Sequence, residues 1–194
     1  TLHDALPISD QHLSQFGLTL SAGRRPADRG NTDPDGAHRF QHLRGGLGWS
    51  GPWAVRDTLL TYRLEAAAQW SSVQLPRVER FVLGHFPYLR GYAPGEVDGD
   101  RGAGFTFEVV RQGDARTGLA PLRPFVFVSA GRVANVRGTA GSAPAWSLAS
   151  LGVGLRARMG ASVGVETWVA VPLRSGPQSR KGDLAAFFSV SVPF

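Results

Sequence analysis

The 194-residue chain has no cysteine, one lysine (Lys181), one methionine (Met159) and one isoleucine (Ile8). The missing thiols exclude a disulfide scaffold, a thiolate zinc site and a cysteine nucleophile. With a single lysine, the excess of 21 basic over 15 acidic side chains, a net +6, is an arginine charge. Those arginines are dispersed, without a long basic run, so they do not describe a nucleic-acid footprint. Charged residues make up only 19% and hydrophobic residues 42%, which is the balance of a folded chain rather than a disordered one.

A long apolar helix is missing as well. The longest uncharged run, 138–155, contains Gly138, Gly141, Gly152, Gly154, Pro144 and three serines. It meets the length of a spanning helix, but its composition opposes one and its second half alternates strictly. No secretory signal is visible: the sequence starts at Thr1, and Asp4 and Asp10 bracket only a short apolar stretch. Residues 1–10 are expected to be a leader foreign to the domain, and 11–194 to form the domain itself.

What is present is period-two alternation. Leu60, Tyr62, Leu64, Ala66, Ala68 and Trp70 share one face, with Thr61, Arg63, Glu65, Ala67 and Gln69 on the other. Leu151, Val153, Leu155, Ala157 and Met159 oppose Ser150, Gly152, Gly154, Arg156 and Arg158. Val163, Val165, Thr167, Val169 and Val171 oppose Ser162, Gly164, Glu166, Trp168 and Ala170, where Trp168 breaks the polar side. Further strands are expected at about 12–24, 37–49, 103–112, 121–131 and the C-terminus, eight or so in all. Turn signals fall at Asp33-Pro34-Asp35-Gly36, Gly51-Pro52, Gln112-Gly113-Asp114 and Ser175-Gly176-Pro177. Strands of this length, apolar on one face and small or polar on the other, suit a soluble sandwich or a transmembrane barrel with a wet lumen. Trp53, Trp70 and Trp146 fall near strand ends, where an interfacial girdle would want them.

One stretch is specific. Leu89-Arg90-Gly91-Tyr92 is followed by Gly99-Asp100-Arg101-Gly102 and a strand containing Glu108. With Gln69 and Leu75-Pro76 upstream, and Leu122-Arg123-Pro124-Phe125 and Ala130-Gly131-Arg132 downstream, this order resembles the two-partner secretion transporters. These are the haemolysin-activator type of the outer-membrane assembly superfamily, and the likeness runs from about residue 12 to Phe194. The resemblance implies an all-β, antiparallel sixteen-stranded transmembrane barrel, of which this chain would supply the C-terminal half with about eight strands. It also implies a long loop, about 75–101, folded back into the lumen, with five strands after it.

In such proteins the loop arginine meets an aspartate of a Phe-x-Asp-x-Gly motif on the inner wall. Here the motif reads Phe127-Val128-Ser129-Ala130-Gly131, so Ser129 replaces the acid and offers no charge. An arginine carried into a barrel needs a carboxylate, because an unpaired buried charge is costly. Glu108, in phase with Thr106, is the expected substitute, and Glu166 the second candidate. The terminal Phe188, Val190, Val192 and Phe194 resemble the strand signal read by barrel-assembly machinery, a form of strand addition.

Other motifs carry less. His38 and His42 share a strand face without a third ligand, and Asp98-Gly99-Asp100 lacks a full oxygen array for calcium. Gly152-x-Gly154 precedes no helix, and no Gly-x-Ser-x-Gly elbow occurs. The expected function is therefore non-enzymatic, with no cofactor, metal, nucleic acid or small-molecule substrate. It is export of a large unfolded exoprotein across a Gram-negative outer membrane, with that cargo, membrane lipid and the assembly machinery as partners. An assembly or insertion barrel of the same superfamily, and a soluble all-β binding module, are the alternatives.

Overall fold

A computed structural model describes residues 13–24, 39–56, 58–85, 87–112, 122–136, 145–159 and 163–192. Its strands are β1 (Leu13–Arg24), β2 (Arg39–Val55), β3 (Thr58–Ser71), β4 (Phe81–Leu83), β5 (Val97–Gly99), β6 (Arg101–Arg111), β7 (Arg123–Ala134), β8 (Ala145–Met159), β9 (Val163–Pro172) and β10 (Ala185–Ser191). Eight of them form one antiparallel sheet in the order β1-β2-β3-β6-β7-β8-β9-β10. Each strand pairs with its sequence neighbour, and only β4 and β5 leave the sheet to make a separate hairpin. β1 and β10 are its two edges, so the sheet does not close on itself among the described residues.

The two faces follow the alternation. Phe16, Leu18 and Leu20 on β1, Leu43 and Trp49 on β2, and Trp70 on β3 lie on one face and are exposed, Phe16 to 80%. Phe105, Val126, Val128, Leu151, Val153 and Val169 continue that exposed apolar face across β6 to β9. The opposite face buries Thr106, Glu108, Phe125, Phe127, Ser129, Ser150, Trp168 and Ala170. A soluble domain places its apolar side inward; here the apolar side is out and the polar side is covered.

What covers the polar face is the segment between β3 and β6. It enters through a short 3₁₀ turn at Arg77–Glu79 and carries the β4–β5 hairpin. Phe81, Leu83, Leu89, Tyr92 and Val97 pack with Val133 and Leu148 of the wall into one buried cluster. The wall accepts Leu83 because Gly131 and Gly104 have no side chains: a Cβ on Gly131 would lie 2.8 Å from Leu83 Cδ1, and one on Gly104 2.9 Å from Cδ2. A second cluster joins Val110, Phe125, Phe127, Trp168 and Ala170, with Trp168 stacked on Phe187 at 5.1 Å.

Two expectations fail. Gly51-Pro52 is not a turn: Pro52 lies inside β2 opposite Thr61, and the chain reverses around Arg56. Among the described residues β1 pairs with β2 as far as Ser50, so beyond it β2 is an edge there and tolerates a residue without an N–H. Trp146 does not join an outer girdle. It shares the parity of Leu148 and Ser150 and packs against the inserted cluster, whereas Trp53 and Trp70 are exposed. The turn signals at 33–36 and at Gly113-Asp114 fall outside the described residues, as do residues 1–10.

Replacing Gly131 with Val is expected to undock the β4–β5 hairpin, since overpacking of this kind costs about 1–3 kcal/mol. The outcome to measure is faster hydrogen exchange at 81–83 and 97–99, with the exchange of β7 and β8 unchanged.

Candidate functional site

The tip of the inserted segment is a strained turn. Leu89 has φ 68° although it carries a side chain, and Gly91 has φ 99°. A left-handed leucine persists only where its surroundings hold it. Leu89 is fully buried, its carbonyl accepts hydrogen bonds from the amides of His85 and Tyr92 at 3.2 Å, and Gly91 lies against Ala170. This conformation turns Arg90 onto the sheet, where it is 5% exposed.

Arg90 Nη1 donates to Glu108 Oε2 at 2.9 Å, and its guanidinium lies 4.7 Å from the centre of the Phe127 ring. Glu108, 3% exposed, is shared: Arg156 donates to both of its oxygens through Nη1 and Nη2. Arg156 Nε in turn donates to Glu166 Oε2 at 2.8 Å, and its guanidinium stands 4.1 Å from the Phe125 ring centre. The sequence is thus Arg90–Glu108–Arg156–Glu166, two cations alternating with two anions. Register explains it, because Arg156 lies directly opposite Glu166 on β9. Of the two carboxylates expected for Arg90, it is Glu108 that meets it, while Glu166 faces Arg156.

Ser129 is fully buried, and its hydroxyl pairs with Thr106 Oγ1 at 2.9 Å. Thr106 Oγ1 also donates to the Pro87 carbonyl at 2.8 Å, so this hydroxyl pair touches the inserted segment through its backbone. Ser129 thus meets the inserted segment through Thr106 and the Pro87 carbonyl.

Asp100, with no exposed surface, anchors the base of the segment. Its Oδ1 accepts from the Leu75 amide at 2.7 Å and its Oδ2 from the Val136 amide at 2.8 Å. Gly99 and Gly102 press against β7 and Phe81 respectively. Arg101 is exposed; its Nε donates to the Ser71 carbonyl at 2.6 Å, and its head lies beside Trp70. Gln69 bridges the base too, accepting from Arg44 Nε and donating to the Glu79 carbonyl. His42 is buried on the wall with Nε2 3.9 Å from Glu79, while His38 lies outside the described residues. Tyr92 Oη lies 2.8 Å from the carbonyls of both Ala149 and Arg174. At the far end of the sheet Phe188, Val190 and Val192 point outward and are exposed; Phe194 lies outside the described residues.

Sequence reasoning placed Arg156 among the wall-lining residues without its bridging role, and missed Glu96 altogether. Glu96 stands in Ala93-Pro94-Gly95-Glu96, an ordinary turn sequence whose importance no spacing announces. Burial acts to raise its pKa, but hydrogen bonds from the Ser179 hydroxyl and from the amides of Gln178, Ser179 and Ala93 outweigh it and hold the carboxyl below its ordinary 4.5.

The family model of the haemolysin secretion/activation protein ShlB/FhaC/HecB matches residues 7–157. The chain belongs to this family. It is a family of outer-membrane β-barrel two-partner secretion transporters. Among solved structures, the chain is similar to CdiB from Escherichia coli, with a TM-score of 0.73 and 20% identity over 93% of this chain and 33% of that one. It is also similar to CdiB from Acinetobacter baumannii, with a TM-score of 0.66 and 23% identity over 79% and 27%. At these identities the likeness is one of fold, and the chain spans about a third or less of the CdiB chains. No curated protein sequence matches the chain.

Two outcomes are expected for this family member. Glu108→Ala leaves two arginines without their shared carboxylate and is expected to destabilise by about 3–5 kcal/mol, as for breaking a buried pair. Urea unfolding in detergent micelles measures it, and Glu166→Ala, at the half-exposed end, is expected to lose less. For Glu96 the lowered pKa means that its stabilisation is complete above the ordinary value of 4.5 and is lost as pH falls through the lower folded value. Hydrogen exchange at 92–97, corrected for intrinsic rate, is therefore expected to accelerate below pH 4.5 and to stay flat above it.

Proposed function

We propose that this chain is the C-terminal barrel portion of a sixteen-stranded outer-membrane pore of a Gram-negative bacterium that secretes a large unfolded exoprotein. The observation that carries the reading is the insertion of Arg90 against the polar face of an inside-out sheet, paired there with Glu108. The exposed apolar face would meet lipid, and the covered face would line the lumen. Arg63, Glu65, Gln69, Arg156, Arg158 and Glu166 give that lumen a mixed charge along which an extended polypeptide slides without sticking.

The segment between β3 and β6 then acts as a plug that must leave before cargo passes. Arg156 lowers the barrier to that departure. A carboxylate abandoned by its only partner in a buried site is heavily penalised, but Glu108 keeps both hydrogen bonds from Arg156 when Arg90 withdraws. Ser129 suits the same role, since a neutral hydroxyl paired with Thr106 does not compete for the departing arginine. Transport of this kind uses no nucleotide, cofactor or metal; folding of the cargo outside would favour export. Phe188, Val190, Val192 and Phe194 would present the last strand to the barrel-assembly machinery.

Arg90→Ala in the full-length protein is expected to reduce cargo secretion several-fold more than it reduces the amount of heat-modifiable barrel in the outer membrane. Equal loss of both would assign Arg90 to assembly alone.

A further inference from the structure

The inserted segment touches a second surface that the arginine pair does not explain. Beyond its tip it runs beneath the connection between β9 and β10, residues 173–184. There the Glu96 carboxylate, 3% exposed, accepts from Gln178 N at 2.8 Å, Ser179 N at 2.9 Å and Ser179 Oγ at 2.7 Å. It also accepts from Ala93 N at 3.2 Å, so one side chain orders its own turn and grips the connection together. Ala93 N reaches Ser179 Oγ at 3.1 Å, and Tyr92 Oη reaches the Arg174 carbonyl at 2.8 Å. The connection is shaped for this carboxylate: a Cβ on Gly176 would collide with Glu96 Oε1.

The partners are amides and a hydroxyl, with no arginine among them. A carboxylate bound by backbone amides is recognised by position, and it fixes the geometry of the loop that supplies them. The connection itself offers Arg174, Arg180, Lys181 and Leu184 to solvent, while its inner side holds the plug.

We infer that Glu96 is a positioning residue that locks the inserted segment to the β9–β10 connection, so that residues 173–184 govern release of the Arg90 tip. This rests on reading the segment as a plug. The Arg90–Glu108 pair holds the plug to the wall, and Glu96 holds it to a surface loop. Anything that displaces the loop removes the Glu96 hold and leaves the wall untouched.

The test uses the full-length protein in outer-membrane vesicles with Glu96→Gln and, from the other side of the same contact, Gly176→Ala. Trypsin reads the plug, because the Arg90–Gly91 bond is buried when the tip is docked while Arg77 is exposed throughout. Cleavage at Arg90 is expected to become about tenfold or more faster in either variant, as for losing hydrogen bonds to a buried charge. Cleavage at Arg77 and heat-modifiable migration are expected to stay as in the parent. Unchanged protection of Arg90 in both variants would overturn the inference, and so would loss of heat-modifiable migration in both, which would make the contact one that merely maintains the barrel. A parent protein that exports no polypeptide, with Arg90 exposed on cue in the variants, would remove the secretion reading and leave the lock standing.

Discussion

The structure depends on a carboxylate buried where a barrel wall would otherwise meet water. Glu108 sits on the covered face of β6 and is tolerable there because cations reach it, here from two directions. One of them, Arg156, comes from the wall and is itself steadied by Glu166. The other, Arg90, comes from a segment that begins and ends at the rim of the sheet. Because a buried Arg90 must be paired, the segment's tip has a defined destination, and the strained Leu89 and Gly91 turn is held in the conformation that delivers it.

From that destination the remaining contacts follow in order. Delivering Arg90 lays Leu83 into the space above Gly104 and Gly131 and brings Tyr92 beneath β8 and the β9–β10 connection. The base is closed by Asp100, whose two oxygens tie the start of the segment to the end of β7. The inserted segment is therefore held at base, middle and tip by different chemistry: amide hydrogen bonds, apolar packing and an ion pair. The first two are local to the wall, whereas the ion pair is the hold with a ready replacement partner for the wall residue. On the proposed reading, stability and release are thus separated along one stretch of chain.

Alternation made a two-faced sheet legible, and the resemblance carried by the loop motif decided which face is turned outward. Phe16, Leu18 and Leu20 on one side and Glu65, Gln69 and Glu166 on the other express that division in residue type alone. The destination of Arg90 was legible as a need for charge, since Ser129 cannot supply one and Glu108 lies in phase on the next strand. Pro52 and Trp146 were misread for a common reason. Both depend on where a neighbouring strand ends or which parity a strand keeps beyond its regular stretch, and local pattern carries neither.

The sequence by itself determined two-faced antiparallel strands and, through its resemblance to the two-partner secretion transporters, the outward apolar face, the inserted loop and the arginine that must find an acid. The alternation is a property of residue type at a fixed spacing, whereas the facing and the inserted loop rest on the ordered motifs around Leu89-Arg90-Gly91-Tyr92 that carry the resemblance. Only the tertiary structure decided that Arg156 shares Glu108, that Ser129 turns to Thr106, and that Glu96 grips amides 82 and 83 residues away. Those choices are made by strand register and by backbone N–H groups, which every residue carries alike, so no pattern of side chains could announce them.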